Sequence, residues 1–220
     1  MNDVPAVAVV DDDESVRKAF ARLVTVAGMD AKVFASAQEY LEAYDPSLPG
    51  CLVLDIAMPG FNGLDLQQAL AAKGGAPPII FVSGQADVPA SVRAMKAGAI
   101  EFLTKPVDEV TLLAAIRGAV ERDRADRRAR AELADLHARL GTLTPRESEV
   151  LKFVISGKLN KQSAAALGIV EKTIKVHRAR VMEKLQVRSV AALVRLTARA
   201  GIDPATDPAR AGRASEPGLD

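Results

Sequence analysis

The chain predicts a doubly wound, five-stranded parallel α/β domain joined by a helical linker to an all-α domain, and three observations carry that prediction. Short apolar runs alternate with helical periodicities through the first 120 residues. Several of those runs end abruptly on a polar or charged side chain. After Val120 the composition changes to Glu121-Arg-Asp-Arg-Ala-Asp-Arg-Arg-Ala-Arg130, with no turn residue as far as Leu140. Strands alternating with helices imply right-handed crossovers and a parallel sheet with helices on both faces. The expected division is residues 1–120 for the α/β domain, 121–140 for the linker, 141–200 for the helical domain and 201–220 for a disordered tail without apolar period.

The first strand, Val7 to Val10, runs into Asp11-Asp12-Asp13-Glu14. From Ser15 the residues Val16, Ala19, Phe20, Leu23 and Val24 recur at helical spacing, and Gly28 is placed to end that helix. Ala31 to Phe34 is a second strand, and Ser36 with Glu39 has the spacing of a capping box for a helix through Tyr44. The third strand, Leu52 to Leu54, ends on Asp55 and is turned away by Met58-Pro59, Gly60 and Gly63. A helix over Leu64 to Ala72 precedes a strand from Ile79 to Val82 that ends on Ser83. A helix over Pro89 to Ala97, a strand over Ile100 to Leu103 leading into Thr104-Lys105-Pro106, and a helix from Asp108 complete the domain.

The linker carries the acid-before-base pairs Asp123 with Arg127, Asp126 with Arg130 and Asp135 with Arg139, each worth about 0.2 to 0.5 kcal/mol on a helix. Leu133, Leu136 and Leu140 form a stripe too short for a coiled coil, which predicts a helix leaning on a domain. Beyond Gly141, Thr144, Pro145 and Glu147 stand in the order of an N-cap, a first-turn proline and a capping-box acid. Three further helices follow: Lys161 to Leu167 with Asn160 as cap, the basic stretch Lys172 to Leu185, and a last one from Ser189 to about Ala200.

The net charge of +1 conceals a separation. Residues 1–107 carry 8 basic and 13 acidic side chains, whereas residues 141–198 carry 11 and 4. The first half suits a cation and the second a polyanion. No stretch approaches membrane-spanning length, and no signal-peptide core is present, which predicts a cytoplasmic protein. The single cysteine, Cys51, reads as a buried structural thiol.

Parallel strands bring their carboxyl ends to one edge, where ligands bind in open α/β sheets. Asp11, Asp12, Asp55, Ser83 and Lys105 converge there although they lie far apart in the chain. Two unit charges about 5 Å apart repel by roughly 3 kcal/mol at an effective dielectric near 20, so the acids call for a compensating cation or proton. Magnesium answers with its preference for one or two carboxylates, leaving room for a phosphoryl oxygen. With metal and Lys105 offsetting charge, Asp55 can attack phosphorus and form an acyl phosphate.

Val9-Val-Asp-Asp12, Asp55 with Met58-Pro59, Ser83, and Lys105-Pro106 together resemble the receiver domains of response regulators over residues 4 to about 120. That resemblance implies a flavodoxin-like sheet of order 2-1-3-4-5, Asp55 as phosphoacceptor, Asp12 as a direct Mg2+ ligand, Asp11 as a ligand through water and the Ala57 carbonyl as a further contact. It also implies that Lys105 and Ser83 contact the phosphoryl group, that Phe102 is an aromatic switch rotor, that the Lys105-Pro106 bond is cis, and that a sensor histidine kinase is the phosphodonor. Asp13 receives no ligand role.

On the basic helix, Lys172, Lys175, Val176 and Ala179 share a face with small residues in its middle, flanked by Arg178, Arg180 and Lys184. Such a face can enter the major groove of double-stranded DNA. Ile174, His177, Val181 and Leu185 form the packing stripe, with His177 available to pack or to bond a phosphate. Leu143 to Leu151, Asn160-Lys-Gln162, and Glu171-Lys-Thr173-Ile-Lys-Val-His-Arg178 through Ser189 resemble the LuxR-type helix-turn-helix domain of NarL and FixJ regulators. Gly84-Gln-Ala-Asp-Val-Pro89 and Ala94-Met-Lys-Ala-Gly98 are most similar to the FixJ receiver. Ser163 stands where an apolar residue is usual, and Val170 where a hydroxyl usually caps the recognition helix.

These features predict a phosphorylation-controlled transcription factor. A metal-dependent aspartyl phosphatase would share Asp55 and magnesium, but it needs a second acid two residues on and a substrate-covering insertion, and the chain has neither. A regulator acting only through protein or RNA would leave the basic face without a duplex. Val88, Val92, Met95 and Lys96 lie three or four apart beside Glu101, which predicts a phosphorylation-dependent homodimer through this face.

Overall fold

The computed structural model describes residues 4–84 and 88–204. Residues 85–87 of the FixJ-like Gly84 to Pro89 stretch, and nearly all of the expected disordered tail, lie outside the described residues. The described chain divides into two compact units, one ending at Arg128 and the other beginning at Ala129.

In the first unit, β1 (Ala6–Val10), β2 (Asp30–Phe34), β3 (Gly50–Asp55), β4 (Ile79–Ser83) and β5 (Glu101–Thr104) form a parallel sheet of order β2-β1-β3-β4-β5. Every residue of β3 and β4 is buried, as a central strand between two helical layers requires. The pleat sorts their side chains. Leu52, Leu54, Ile79 and Phe81 join one core with α2 (Ala37–Ala43) and α3 (Gly63–Ala72). Cys51, Val53, Ile80 and Val82 join the other with α1 (Glu14–Val26) and the start of α5 (Glu109–Gly141). The Cys51 thiol is buried, and that burial pushes its pKa up to about 12.

Register follows from these faces. Val10 pairs with both Phe34 and Leu54, Asp55 with Val82, and Ser83 with Thr104, so the strands end together. The Ser36 hydroxyl caps α2 by accepting from the Glu39 N–H, but the reciprocal Glu39 carboxylate takes the Ala35 N–H instead of its own cap residue. α4 (Val88–Lys96) precedes β5.

The expected helix from Asp108 and the expected linker helix form one element of 33 residues, α5, with Asp108 accepting from the Thr111 N–H at its start. Gly141 is its last residue. The two compact units divide the linker. Asp123 is buried in the first, where its Oδ2 accepts from the Gly50 N–H at 2.9 Å and from Arg127 Nε at 2.7 Å. Arg127 also donates to the carbonyls of Ser47 and Leu48. In the second unit Leu136 is buried, and Arg139 pairs with Asp135 and donates to the Leu185 carbonyl.

α6 (Pro145–Ile155), α7 (Asn160–Leu167), α8 (Glu171–Lys184) and α9 (Val190–Arg199) enclose a core of Val150, Leu151, Val154, Ile174, Val181, Leu185 and Leu193. The Thr144 and Glu147 capping box forms as expected. Asn160 does not cap α7: it is the first helical residue, Leu159 is the cap position, and the Leu159 N–H is satisfied by Gln162. The Asn160 amide oxygen serves α8 instead, accepting from Arg178 at 3.2 Å. Ser163 is tolerated in a buried position because its hydroxyl bonds the Leu159 carbonyl four residues back.

Candidate functional site

The carboxyl edge of the sheet collects the acids. Asp11 follows the last residue of β1, Asp55 ends β3, and both are buried, while Asp12 is exposed between them and α1. Ligand oxygens of these three residues lie within 4.8 Å of one another. Asp13 is the N-cap of α1, accepting from the N–H groups of Ser15 and Val16, and those bonds hold its carboxyl below the usual range.

Lys105 follows β5 and reaches across the edge, its Nζ 2.6 Å from Asp11 Oδ2 and 3.5 Å from Asp55 Oδ2. The Lys105-Pro106 bond is cis, as the receiver resemblance implied. Burial alone would lower the Lys105 pKa, but the Asp11 hydrogen bond and the two carboxylate charges leave it raised. Burial is also the largest influence on Asp55; the Lys105 charge opposes it, Asp11 adds to it, and the net result is a raised pKa.

The donor set fits a hard divalent cation. Three carboxylates converge, and Asp55 Oδ1 is buried without a hydrogen-bond partner of normal geometry among the described residues. Ala57 sits exposed in the loop that leaves Asp55. Ser83 ends β4, is buried, and its carbonyl accepts from the Lys105 N–H at 2.7 Å. Phe102 is half-buried against the core and pairs in register with Phe81.

Two supports of this edge go beyond the sequence reading, which took Gly63 only as a turn residue and gave Arg17 no role. A Cβ on Gly63 would stand 2.3 Å from the Asp55 carbonyl oxygen, so the loop can fold back beneath Asp55 only with glycine there. Its φ gives no further reason for glycine; the close approach does. Arg17, in the second turn of α1, donates from Nη1 to the Asp11 carbonyl at 2.6 Å. The signal for Gly63 was its position in the Gly-containing turn after Asp55, whereas nothing local pointed to Arg17.

On α8, Lys172, Lys175, Val176, Ala179 and Arg180 are exposed, and Thr173 is half-buried. Ile174, Val181 and Leu185 face the core as the periodicity required. His177 is half-buried, and its Nδ1 has no hydrogen-bond partner among the described residues. Lys175 lies 3.3 Å from Glu171 one turn earlier. Val170 occupies the N-cap without a side-chain bond, as its apolar side chain dictates. Lys184, expected among the DNA-contacting residues that flank the face, binds Glu147 Oε2 through its Nζ at 2.6 Å and the Thr142 carbonyl at 2.9 Å. That hydrogen bond and the Thr144 backbone bond hold the Glu147 carboxyl down at about 2. On α4, Val88, Val92 and Met95 are exposed by 69%, 45% and 43%, and Lys96 and Glu101 are exposed beside them.

An acid cluster on a doubly wound sheet, followed by a basic helical unit, defines the class of two-domain response regulators. Residues 7–117 match the response regulator receiver domain, and residues 141–197 match the bacterial regulatory proteins of the luxR family. The chain belongs to the NarL/FixJ family of response regulators, with a FixJ-like receiver and a LuxR-type DNA-binding domain, and it is a transcriptional response regulator. It is 45% identical over 196 residues to nodulation protein W of Bradyrhizobium diazoefficiens, covering 89% of this chain and 86% of that protein. It is 39% identical over 201 residues to the transcriptional regulatory protein FixJ of Azorhizobium caulinodans, covering 91% and 95%. Among solved structures, the response regulator StyR is similar with a TM-score of 0.83 and 46% identity, covering 89% of this chain and 99% of that one. Among the described residues no helix is long and apolar enough to cross a membrane.

Proposed function

We propose that this regulator accepts a phosphoryl group on Asp55 from a cognate sensor histidine kinase, in the cytoplasm, and that the modification controls binding of α8 to double-stranded DNA. The carrying observation is the bridge from Lys105 to Asp11 and Asp55 at the buried carboxyl edge where the three acids meet. Asp12, Asp55 and the Ala57 carbonyl would hold Mg2+ directly and Asp11 through water. The ion would supply charge neutralisation at the transferring phosphoryl oxygens. Asp55 is the nucleophile, Lys105 pairs with the developing phosphoryl charge, and the Ser83 hydroxyl donates to the same group. The chain catalyses only its own phosphorylation and dephosphorylation.

Movement of Ser83 toward the phosphoryl group would leave room for Phe102 to turn inward, altering the face of α4 and β5. Changing a two-state population from about 1:99 to 99:1 requires about 5.5 kcal/mol of differential stabilisation, more than one surface ion pair supplies. Burial of Val88, Val92 and Met95 in a homodimer, rimmed by Lys96 and Glu101, would add to the phosphate contacts. A two-fold dimer would present two α8 helices to half-sites about 34 Å apart. There Lys175 and Val176 would read base edges, with Lys172, Thr173, His177, Arg178, Ala179 and Arg180 lining the interface. In this reading residues 1–120 are the receiver, 121–140 the linker and 141–200 the output domain.

The deciding experiment incubates the full chain with magnesium and a small acyl phosphate, then maps the product by mass spectrometry. One phosphoryl group on Asp55, abolished in Asp55→Asn, is expected. Unchanged labelling of Asp55→Asn would remove Asp55 as acceptor.

A further inference from the structure

Arg17 has no part in the acid motif, yet the structure gives it a specific partner at the site. Helical Cβ atoms point toward the N-terminus, so an arginine in the second turn of α1 can reach back over the helix start. An acid on the same helix would be the ordinary partner, but Glu14 is already paired with Lys18 at 2.7 Å. Arg17 instead donates to the main-chain carbonyl of Asp11 at 2.6 Å.

The consequence falls on Asp12. Asp11 is held at every hydrogen-bonding position: its N–H donates to the Phe34 carbonyl at 3.3 Å, and its carbonyl accepts from Arg17. Its Oδ1 accepts from the Asp13 N–H at 2.9 Å and its Oδ2 from Lys105 at 2.6 Å. The two peptide planes that flank Asp12 are therefore both fixed, the first through the Asp11 carbonyl and the second through the Asp13 N–H. Asp12 itself is exposed. Its backbone direction is set by those two bonds, and only one of them, the bond from Arg17, comes from a residue outside the acid motif.

We propose that Arg17 is a positioning residue that fixes the Asp11-Asp12 peptide in the geometry a magnesium ion requires. The proposal rests on the reading of Asp11, Asp12 and Asp55 as a metal site. Magnesium demands near-ideal octahedral geometry, whereas calcium accepts flexible coordination. A guanidinium near the site opposes a bound cation by simple Coulomb repulsion. The two roles therefore predict opposite signs when the arginine is removed: loss of a positioning bond weakens magnesium binding, and loss of a mere point charge strengthens it.

Isothermal calorimetry of the full chain with Mg2+ and with Ca2+, at fixed ionic strength, separates them. Arg17→Met keeps much of the packing stem and removes both charge and donor. Its magnesium affinity is expected to fall by about tenfold, the lower end of what loss of a ligand-orienting partner causes, with calcium affinity falling far less. Arg17→Lys, which retains charge and a donor, should recover most of the magnesium affinity. Unchanged or tighter magnesium binding in Arg17→Met would overturn the proposal, and so would equal losses for both ions, which indicate general loosening. An Asp12→Asn control isolates the underlying reading: if wild type and Asp12→Asn bind magnesium alike, the metal site is refuted and the role of Arg17 falls with it. If Arg17→Met does not fold, full magnesium affinity in Arg17→Gln, which lacks the charge and the reach, would overturn the proposal.

Discussion

Gly50 donates its backbone N–H to Asp123 Oδ2 at 2.9 Å, across 73 positions of the chain. This bond turns an apparently solvated helix acid into an anchor for the loop that starts β3. Asp123→Ala is expected to destabilise the full chain by about 2 to 3 kcal/mol, because Gly50 loses its acceptor and Arg127 its buried partner. Asp135→Ala, in a pair whose acid is exposed, should cost about 0.5 kcal/mol or less. Urea unfolding of the two variants compares them.

Asp55 should be a liability to the fold when no cation is bound. Its pKa in the folded chain is raised above 3.8, chiefly by burial. The folded state therefore holds its proton more tightly than the unfolded state, and stability declines as pH rises from 3.8 through the raised value. Asp55→Asn is expected to raise the melting temperature at pH 7 without magnesium, with the advantage shrinking below about pH 4 and on adding the ion. Thermal melts of both proteins across pH and magnesium concentration check the sign.

Lys184 and Lys175 should separate stability from base reading. Lys184→Ala leaves Glu147, only 3% exposed, without its ammonium partner, and is expected to lower the stability of the helical unit. Glu147 is depressed to about 2, so its contribution is present above 4.5 and is lost as pH falls from 4.5 toward 2. The difference between wild type and Lys184→Ala in thermal melts should narrow over that window. Lys175→Ala should leave melting unchanged and cost about 1 to 3 kcal/mol on the preferred operator over random DNA. Equal losses on both DNAs would refute base reading by Lys175.

Met95→Glu should block association. A carboxylate beside Val92 would be buried in the proposed α4 and β5 interface, and analytical ultracentrifugation of the phosphorylated variant should give a monomer where wild type gives a dimer. Equal dimerisation of both would exclude this face.

The strand ends were legible because each apolar run stops on its functional residue: Val10 before Asp11, Leu54 before Asp55, Val82 before Ser83. The Thr144 and Glu147 box was legible for the same reason, since both partners lie within one helical turn. What escaped notice depends on partners far along the chain. Asp123 meets Gly50, Lys184 meets Glu147 across 37 positions, and Arg178 meets Asn160 across 18. Periodicity reports on neighbours three or four apart, so it assigned these side chains to solvent, to DNA or to a helix cap. The continuity of α5 through the linker was missed because a change in composition resembles a boundary even where the helix continues.

Cys51 leaves an experimental opening. It is the one cysteine in 220 residues, and as a thiol displaced to about 12 within β3 it stays protonated and shielded from reagents at neutral pH. The native chain is thus a chemically silent background: a thiol introduced at Val92 or Lys172 would take a maleimide dye or spin label alone, without first deleting a residue from the core.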